Sequence, residues 1–384
     1  PEYGVPLYDD LERALAEAEA EIVLDLSDEP VVDPPRRFRL AARVLAAGIP
    51  YLGADFRFDP VSFASFELPA LAVIGSGKRV GKTAVAGHVA RLLAGDREVV
   101  VVAMGRGGPP EPVVAEPSPT VEDLLALSRE GRHAASDYLE DAALAGVTTV
   151  GARRCGGGLA GKPFASNVEA AARLAASLEP DLVLFEGSGT AIPPVQVGGR
   201  ILVVGAHQDP ALVVGYLGAY RLLISDLVIL TMCEEPLASA AAVETLKRAI
   251  WEVKPELPVV ATVLRPRPAE PVAGRRVAFF STAPAAIHGR LREHLERRHG
   301  AEVTLVSGSL ARRDLLRAEL DSPEARRADV YLVEIKAAAI DVVAEAAAER
   351  GRPIVFVDNT VVPLDGEPDL DELVCALAAE EVPA

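Results

Sequence analysis

The 384-residue chain has 50% hydrophobic and 25% charged residues, a balance that suits packed globular domains and excludes a largely disordered chain. Its 39 Lys and Arg against 56 Asp and Glu leave a formal charge of −17 at pH 7, which argues against a general binder of nucleic acid or of an acidic membrane. No run approaches the ~18 apolar residues of a membrane span, and three widely spaced cysteines suit a reducing cytoplasm better than a disulfide framework.

In chain order, Asp10–Ala20 reads as a helix, Ile22–Leu26 as a strand, Arg37–Ala47 as a helix closed by Gly48, and Pro50–Gly53 as a short strand. This is too little sheet to stand alone. Residues 1–68 therefore read as the back half of an α/β unit, with an upstream segment expected before Pro1. From residue 69, strands and helices alternate in the pattern of a parallel sheet. Strands are predicted at Leu71–Ile74, Val99–Ala103, Val147–Val150, Leu182–Phe185, Ile201–Gly205, Leu227–Thr231 and Val259–Val263. Helices between them include Thr83–Leu93, Asn167–Leu178 and Leu237–Val253. The Pro-punctuated run Arg265–Pro271 reads as a linker that separates this central unit, 69–264, from a third, 272–384. The third unit repeats the alternation, with strands near Val277–Ser281, Val303–Val306, Val330–Glu334 and Ile354–Asp358.

The strongest chemical signal is Gly75-Ser76-Gly77-Lys78-Arg79-Val80-Gly81-Lys82-Thr83-Ala84, set between the first central strand and an amphipathic helix. Strand, Gly-rich loop, Gly-Lys-Thr and helix is the context a phosphate-binding loop requires. Backbone N–H groups and the helix N-terminus face the phosphates, the lysine reaches the β and γ oxygens, and the threonine hydroxyl ligates Mg²⁺. The protein is therefore expected to bind a nucleoside triphosphate. The strict pattern has Gly where Ser76 stands. A second signal is Leu182-Val183-Leu184-Phe185-Glu186-Gly187-Ser188-Gly189, where an acidic residue leaves a buried strand in a position to hold Mg²⁺ or its water. The expected fold is α/β, a central P-loop NTPase domain with a parallel sheet flanked by a partial N-terminal unit and a C-terminal Rossmann-like unit.

These two motifs resemble dethiobiotin synthetase and its relatives, a likeness limited to the core of the central unit. Two further Gly-rich loops carry the cations of an acidic protein. Met104-Gly105-Arg106-Gly107-Gly108-Pro109 follows one strand, and Arg153-Arg154-Cys155-Gly156-Gly157-Gly158 runs on to Lys162 after another. Loops at the carboxyl ends of strands are where α/β sheets bind ligands, and Arg forks suit phosphates and carboxylates. Arg106, Gly107, Gly108, His133, Arg153, Arg154 and Lys162 are accordingly the candidates for a small polyanionic substrate. The six histidines show no metal-ligand spacing.

The succession of these strings with His133-Ala-Ala-Ser-Asp-Tyr138 and Thr231-Met-Cys-Glu-Glu-Pro236 is similar to the cyclic 2,3-diphosphoglycerate synthetases, over nearly the whole chain. The resemblance implies ATP-dependent closure of an intramolecular phosphoanhydride in 2,3-bisphosphoglycerate, in a cytoplasmic and homodimeric enzyme. It implies that Lys82 and Arg79 steady the transferred phosphoryl group, that Thr83 and Glu186 hold Mg²⁺, and that the basic loops hold the substrate. Two alternatives stay open at this stage. One is a simple 2-phosphoglycerate kinase using the same loop and pocket. The other is a nucleotide-gated switch, although Gly77 stands where partitioning ATPases carry Lys and no Cys or His cluster suits metal delivery.

Overall fold

The computed structural model describes residues 4–117, 137–335 and 340–379. Strands β1 (Val23–Leu24), β2 (Tyr51–Leu52) and β3 (Arg57–Phe58) form a small separate sheet. The remaining strands are β4 (Ala70–Gly75), β5 (Val99–Gly105), β6 (Val113–Ala115), β7 (Thr148–Cys155), β8 (Ala165–Ser166), β9 (Leu182–Glu186), β10 (Gly199–Gly205) and β11 (Leu227–Thr231). They continue with β12 (Val259–Pro268), β13 (Arg276–Phe280), β14 (Glu302–Ser307), β15 (Val330–Glu334) and β16 (Ile354–Pro363). Among the described residues these make one 13-stranded sheet, β14-β13-β15-β16-β12-β11-β10-β4-β9-β5-β7-β6, with β8 paired to β7.

The centre of that sheet is parallel and covered on both faces, which explains its near-continuous apolar strands. Leu71 and Val73 of β4 point into one buried cluster, while Ala70, Ala72 and Ile74 point into the other. β5 and β9 alternate in the same way. The first cluster runs from Leu71 and Val73 through to Ala278, Phe280, Tyr331 and Val333, so the central and C-terminal units share one core. The N-terminal helix Pro34–Ala46 starts on an Asp33 cap with Pro34 in its first turn. Its buried Ala41, Ala42, Val44 and Leu45 join the opposite cluster with Ile74 and Phe185.

Of the linker expected at Arg265–Pro271, Arg265–Pro268 is instead the end of β12, which pairs antiparallel with β16 from Thr262 to Pro268. The reason lies in strand parity. Thr262 turns its carbonyl toward β11, accepting from Cys233 N at 3.0 Å, whereas Ala261 O accepts from Leu364 N on the β16 side at 2.9 Å. Pro266 and Pro268 share the parity of Thr262, so their missing N–H groups face away from β16 and beyond the end of β11. Neither proline removes a donor from the ladder. Arg91 of the helix Lys82–Leu93 then pairs with Asp358 of β16, tying the helix behind the Gly-rich loop to the C-terminal unit.

Candidate active site

β4 delivers the chain to Gly75 at the carboxyl edge of the sheet. A Cβ there would lie 2.8 Å from Gly189 O, so the loop start packs directly against the turn after β9. Ser76, standing where the strict pattern has Gly, gives its backbone N–H to Val203 O at 2.9 Å, and its hydroxyl reaches Val203 O and the Gln208 side chain. Gln208 also accepts from Gly205 N at 3.1 Å. At the far end of the loop Thr231 donates its hydroxyl to Val80 O at 2.7 Å. Gly81 sits at φ 80°, a conformation that favours glycine, and a Cβ there would press on Leu264 Cδ1 at 2.9 Å. As cap of the helix Lys82–Leu93 it offers no side chain to the first N–H groups. Those donors and the helix dipole are left to an anion.

Lys82 is buried and its ammonium pairs with Glu186, the fully buried last residue of β9. Asp141, absent from the sequence-based candidates, lies in the same cluster on the helix Asp137–Leu144 and is only 2% exposed. Burial, then the charges of Glu186 and Glu140, push its carboxyl well above the usual carboxylate range, with Lys82 opposing. Its helix buries every residue from Tyr138 to Ala142, so no periodicity set Asp141 apart in the sequence. Thr83 is half-buried in the first turn of its helix.

The basic residues divide into two kinds. Arg154 is buried and donates to Gly156 O at 2.6 Å and Ser188 O at 2.8 Å, bracing the turn after Glu186. A Cβ on Gly189 would lie 3.6 Å from both Arg154 Nη2 and Lys78 Cγ, so these two cations flank the same glycine. Arg153 gives Nε to Gly108 O and its backbone N–H to Asn167 Oδ1 at 2.6 Å. Asn167 in turn donates to Pro110 O at 2.9 Å, so this pair fastens the loop after β5 onto β7. Gly108 admits no side chain, since a Cβ would fall 2.0 Å from Ala152 O.

Lys78, Arg79, Arg106, Gly107 and Lys162 are exposed on loops. Arg106 is one residue beyond the Gly105–Arg153 register pair, at the same sheet edge as the phosphate-binding loop. His133 lies outside the described residues. The structure thus brings together residues 75–84, Glu186 and Arg154, and leaves Arg106 exposed after β5 at the same edge of the sheet. The hard oxygen donors Thr83, Glu186 and Asp141 fit Mg²⁺ chemically, and Glu186 Oε2 and Asp141 Oδ2 are buried without a hydrogen-bond partner. Among the described residues no group of three or more His, Cys, Asp or Glu forms a cage for a metal. Nor is any described helix long and apolar enough to cross a membrane.

Family models match along the chain: the N-terminal domain of cyclic 2,3-diphosphoglycerate synthetase over residues 4–59, its P-loop domain over 70–263 and its C-terminal domain over 268–360. Relatives named cyclic 2,3-diphosphoglycerate synthetase include the Rubrobacter xylanophilus protein, 53% identical over 95% of this chain and 85% of its own. The Methanothermus fervidus protein is 44% identical over 93% of this chain and 79% of its own. Among solved structures, LpxK from Aquifex aeolicus in complex with ATP aligns over 82% of this chain and 90% of its own, with 15% identity and a TM-score of 0.45.

Proposed function

The chain belongs to the cyclic 2,3-diphosphoglycerate synthetase family, and from that premise we infer that it uses ATP to close a phosphoanhydride within 2,3-bisphosphoglycerate, releasing ADP and orthophosphate. The observation that carries the reading is the buried Lys82–Glu186 pair beneath an uncapped helix N-terminus, with Arg154 and Lys78 beside Gly189 at the same sheet edge. A phosphoryl donor and a polyanionic acceptor both find their counter-charges there.

In the first step an oxygen of one substrate phosphate attacks the γ-phosphorus of ATP, and the bond to the ADP oxygen breaks. In the second, an oxygen of the other substrate phosphate attacks the substrate phosphorus just activated, forming the ring anhydride and expelling orthophosphate. The nucleophile in each step is an ionised phosphate oxygen, so no general base is needed. Rate acceleration then comes from positioning and charge neutralisation. Lys82 leaves Glu186 to hold the β and γ oxygens, and Arg79 and Lys78 approach the transferred group from the loop. The backbone N–H groups of residues 77–83 cradle the phosphates. Thr83 and Glu186 would hold Mg²⁺, which when bound neutralises charge on the β and γ phosphates. Arg106, with Lys162 and the Gly-rich loop that Arg153 and Arg154 brace, receives the substrate.

The test is to incubate the protein with Mg-ATP and 2,3-bisphosphoglycerate and follow phosphorus NMR. New anhydride resonances of a cyclic product, with one ADP and one orthophosphate per turnover, are expected. ATP left untouched, or hydrolysed equally without the acceptor, would overturn the reading.

A further inference from the structure

Two carboxyl groups, rather than one, lie buried beneath the phosphate-binding loop. Glu186 is 0% exposed and Asp141 2%. They arrive from different elements, the end of β9 and the helix Asp137–Leu144, and sit as neighbours. Lys82 occupies Glu186 Oε1, while Glu186 Oε2 and Asp141 Oδ2 are enclosed with no partner besides each other's carboxyl. Buried polar atoms are nearly always satisfied, so two facing buried carboxyls either hold a proton between them or take a cation. Glu140 adds further negative charge at the same place, and Lys82 supplies the positive charge.

Lys82 cannot serve both partners at once. When its ammonium turns to the phosphates, the two carboxyls lose their counter-charge just as nucleotide brings a divalent ion. Mg²⁺ usually takes one or two carboxylates together with phosphate oxygens and water, a set that Asp141, Glu186 and Thr83 complete without a protein cage. We propose that Asp141 is a second carboxylate of the Mg²⁺ site, facing the same cation as Glu186, directly or through one water. This rests on the nucleotide-dependent reading of the site and adds to it a residue that lies outside the two motifs the sequence marked for the metal.

The test uses the full chain, Mn²⁺ as probe and ADP as nucleotide. Free Mn²⁺ is read by electron paramagnetic resonance, and ADP affinity is measured separately in EDTA. Asp141→Asn is expected to weaken Mn²⁺ binding to the protein–ADP complex by about tenfold or more, as loss of a group supporting a metal does. ADP affinity in EDTA should stay within about twofold of wild type, and Asp141→Glu should recover part of the Mn²⁺ affinity. Mn²⁺ binding unchanged in Asp141→Asn would overturn the assignment. An equal loss of ADP affinity in EDTA would also overturn it, by making Asp141 a structural support of the loop. A wild-type chain that binds no ADP would overturn the nucleotide reading itself, which sets that failure apart from the other two.

Discussion

The Thr231 hydroxyl donates to the Val80 carbonyl across 2.7 Å and 151 residues of sequence, so the phosphate-binding loop hangs from the end of β11 as well as from its own strand. Thr231 is fully buried, and Val80 O is the last loop carbonyl before Gly81. Thr231→Val keeps the shape and deletes the donor. The expected outcome is a stability loss of about 1–3 kcal/mol from the unsatisfied carbonyl. The KM for ATP should rise several-fold while the KM for the acceptor changes little. Denaturant melts and initial rates with each substrate varied in turn check both parts.

Lys82 and Glu186 separate stability from catalysis. Lys82→Met leaves the Glu186 carboxyl buried without its partner, which costs about 3–5 kcal/mol in comparable pairs. Activity should fall by about 10²–10³ or more, because a pre-organised charge on the transferring phosphoryl group is lost. In the double variant Lys82→Met with Glu186→Gln the uncompensated carboxyl is gone, so much of the stability should return while activity stays lost. A double variant as unstable as the single one would show that the ion pair is not what the lysine contributes to the fold.

How much of this was legible in the sequence depended on how far each signal reached. β4, β5 and β9 could be read because both faces of each strand are buried and the strings are apolar throughout. The loop 75–84 could be read because its conformation is dictated locally by glycines and by the helix that follows. Pro266 and Pro268 misled because proline marks a break unless the side its absent N–H faces is known, and that side is set by pairing with β16. The hooks from Thr231 and Gln208 join residues far apart in the chain, and no local pattern announces them. Asp141 was hidden differently. A carboxyl in a continuously buried stretch has meaning only once Glu186 is seen beside it.

Arg106 and Arg154 are both arginines on Gly-rich loops, and the structure separates their effects. Arg106 is exposed, so Arg106→Ala should leave stability within about 0.5 kcal/mol of wild type. If it grips the substrate, loss of a charge-assisted hydrogen bond of about 1.5–3 kcal/mol raises the acceptor KM by about tenfold or more. Arg154 is buried and braces Ser188 beside Glu186, so Arg154→Ala should lower both the melting temperature and kcat. Equal behaviour of the two variants in a melt would contradict the division.

Asp25 gives the N-terminal unit a dependence on acid. Burial alone would raise its pKa, but hydrogen bonds from Tyr51, Ser27 and Arg37 outweigh it and lower the carboxyl from 3.8 to about 2. A carboxyl whose folded pKa is depressed contributes stability that is complete above its unfolded value. That contribution declines as pH falls below 3.8 and is gone once pH has passed through about 2. Asp25→Asn removes the charge at every pH. The variant should therefore melt below wild type at neutral pH, with the gap closing as the pH falls through this window. Melting curves of both proteins across that range decide it: a gap that stays constant into acid would mean that Asp25 acts through packing, and not through its charge.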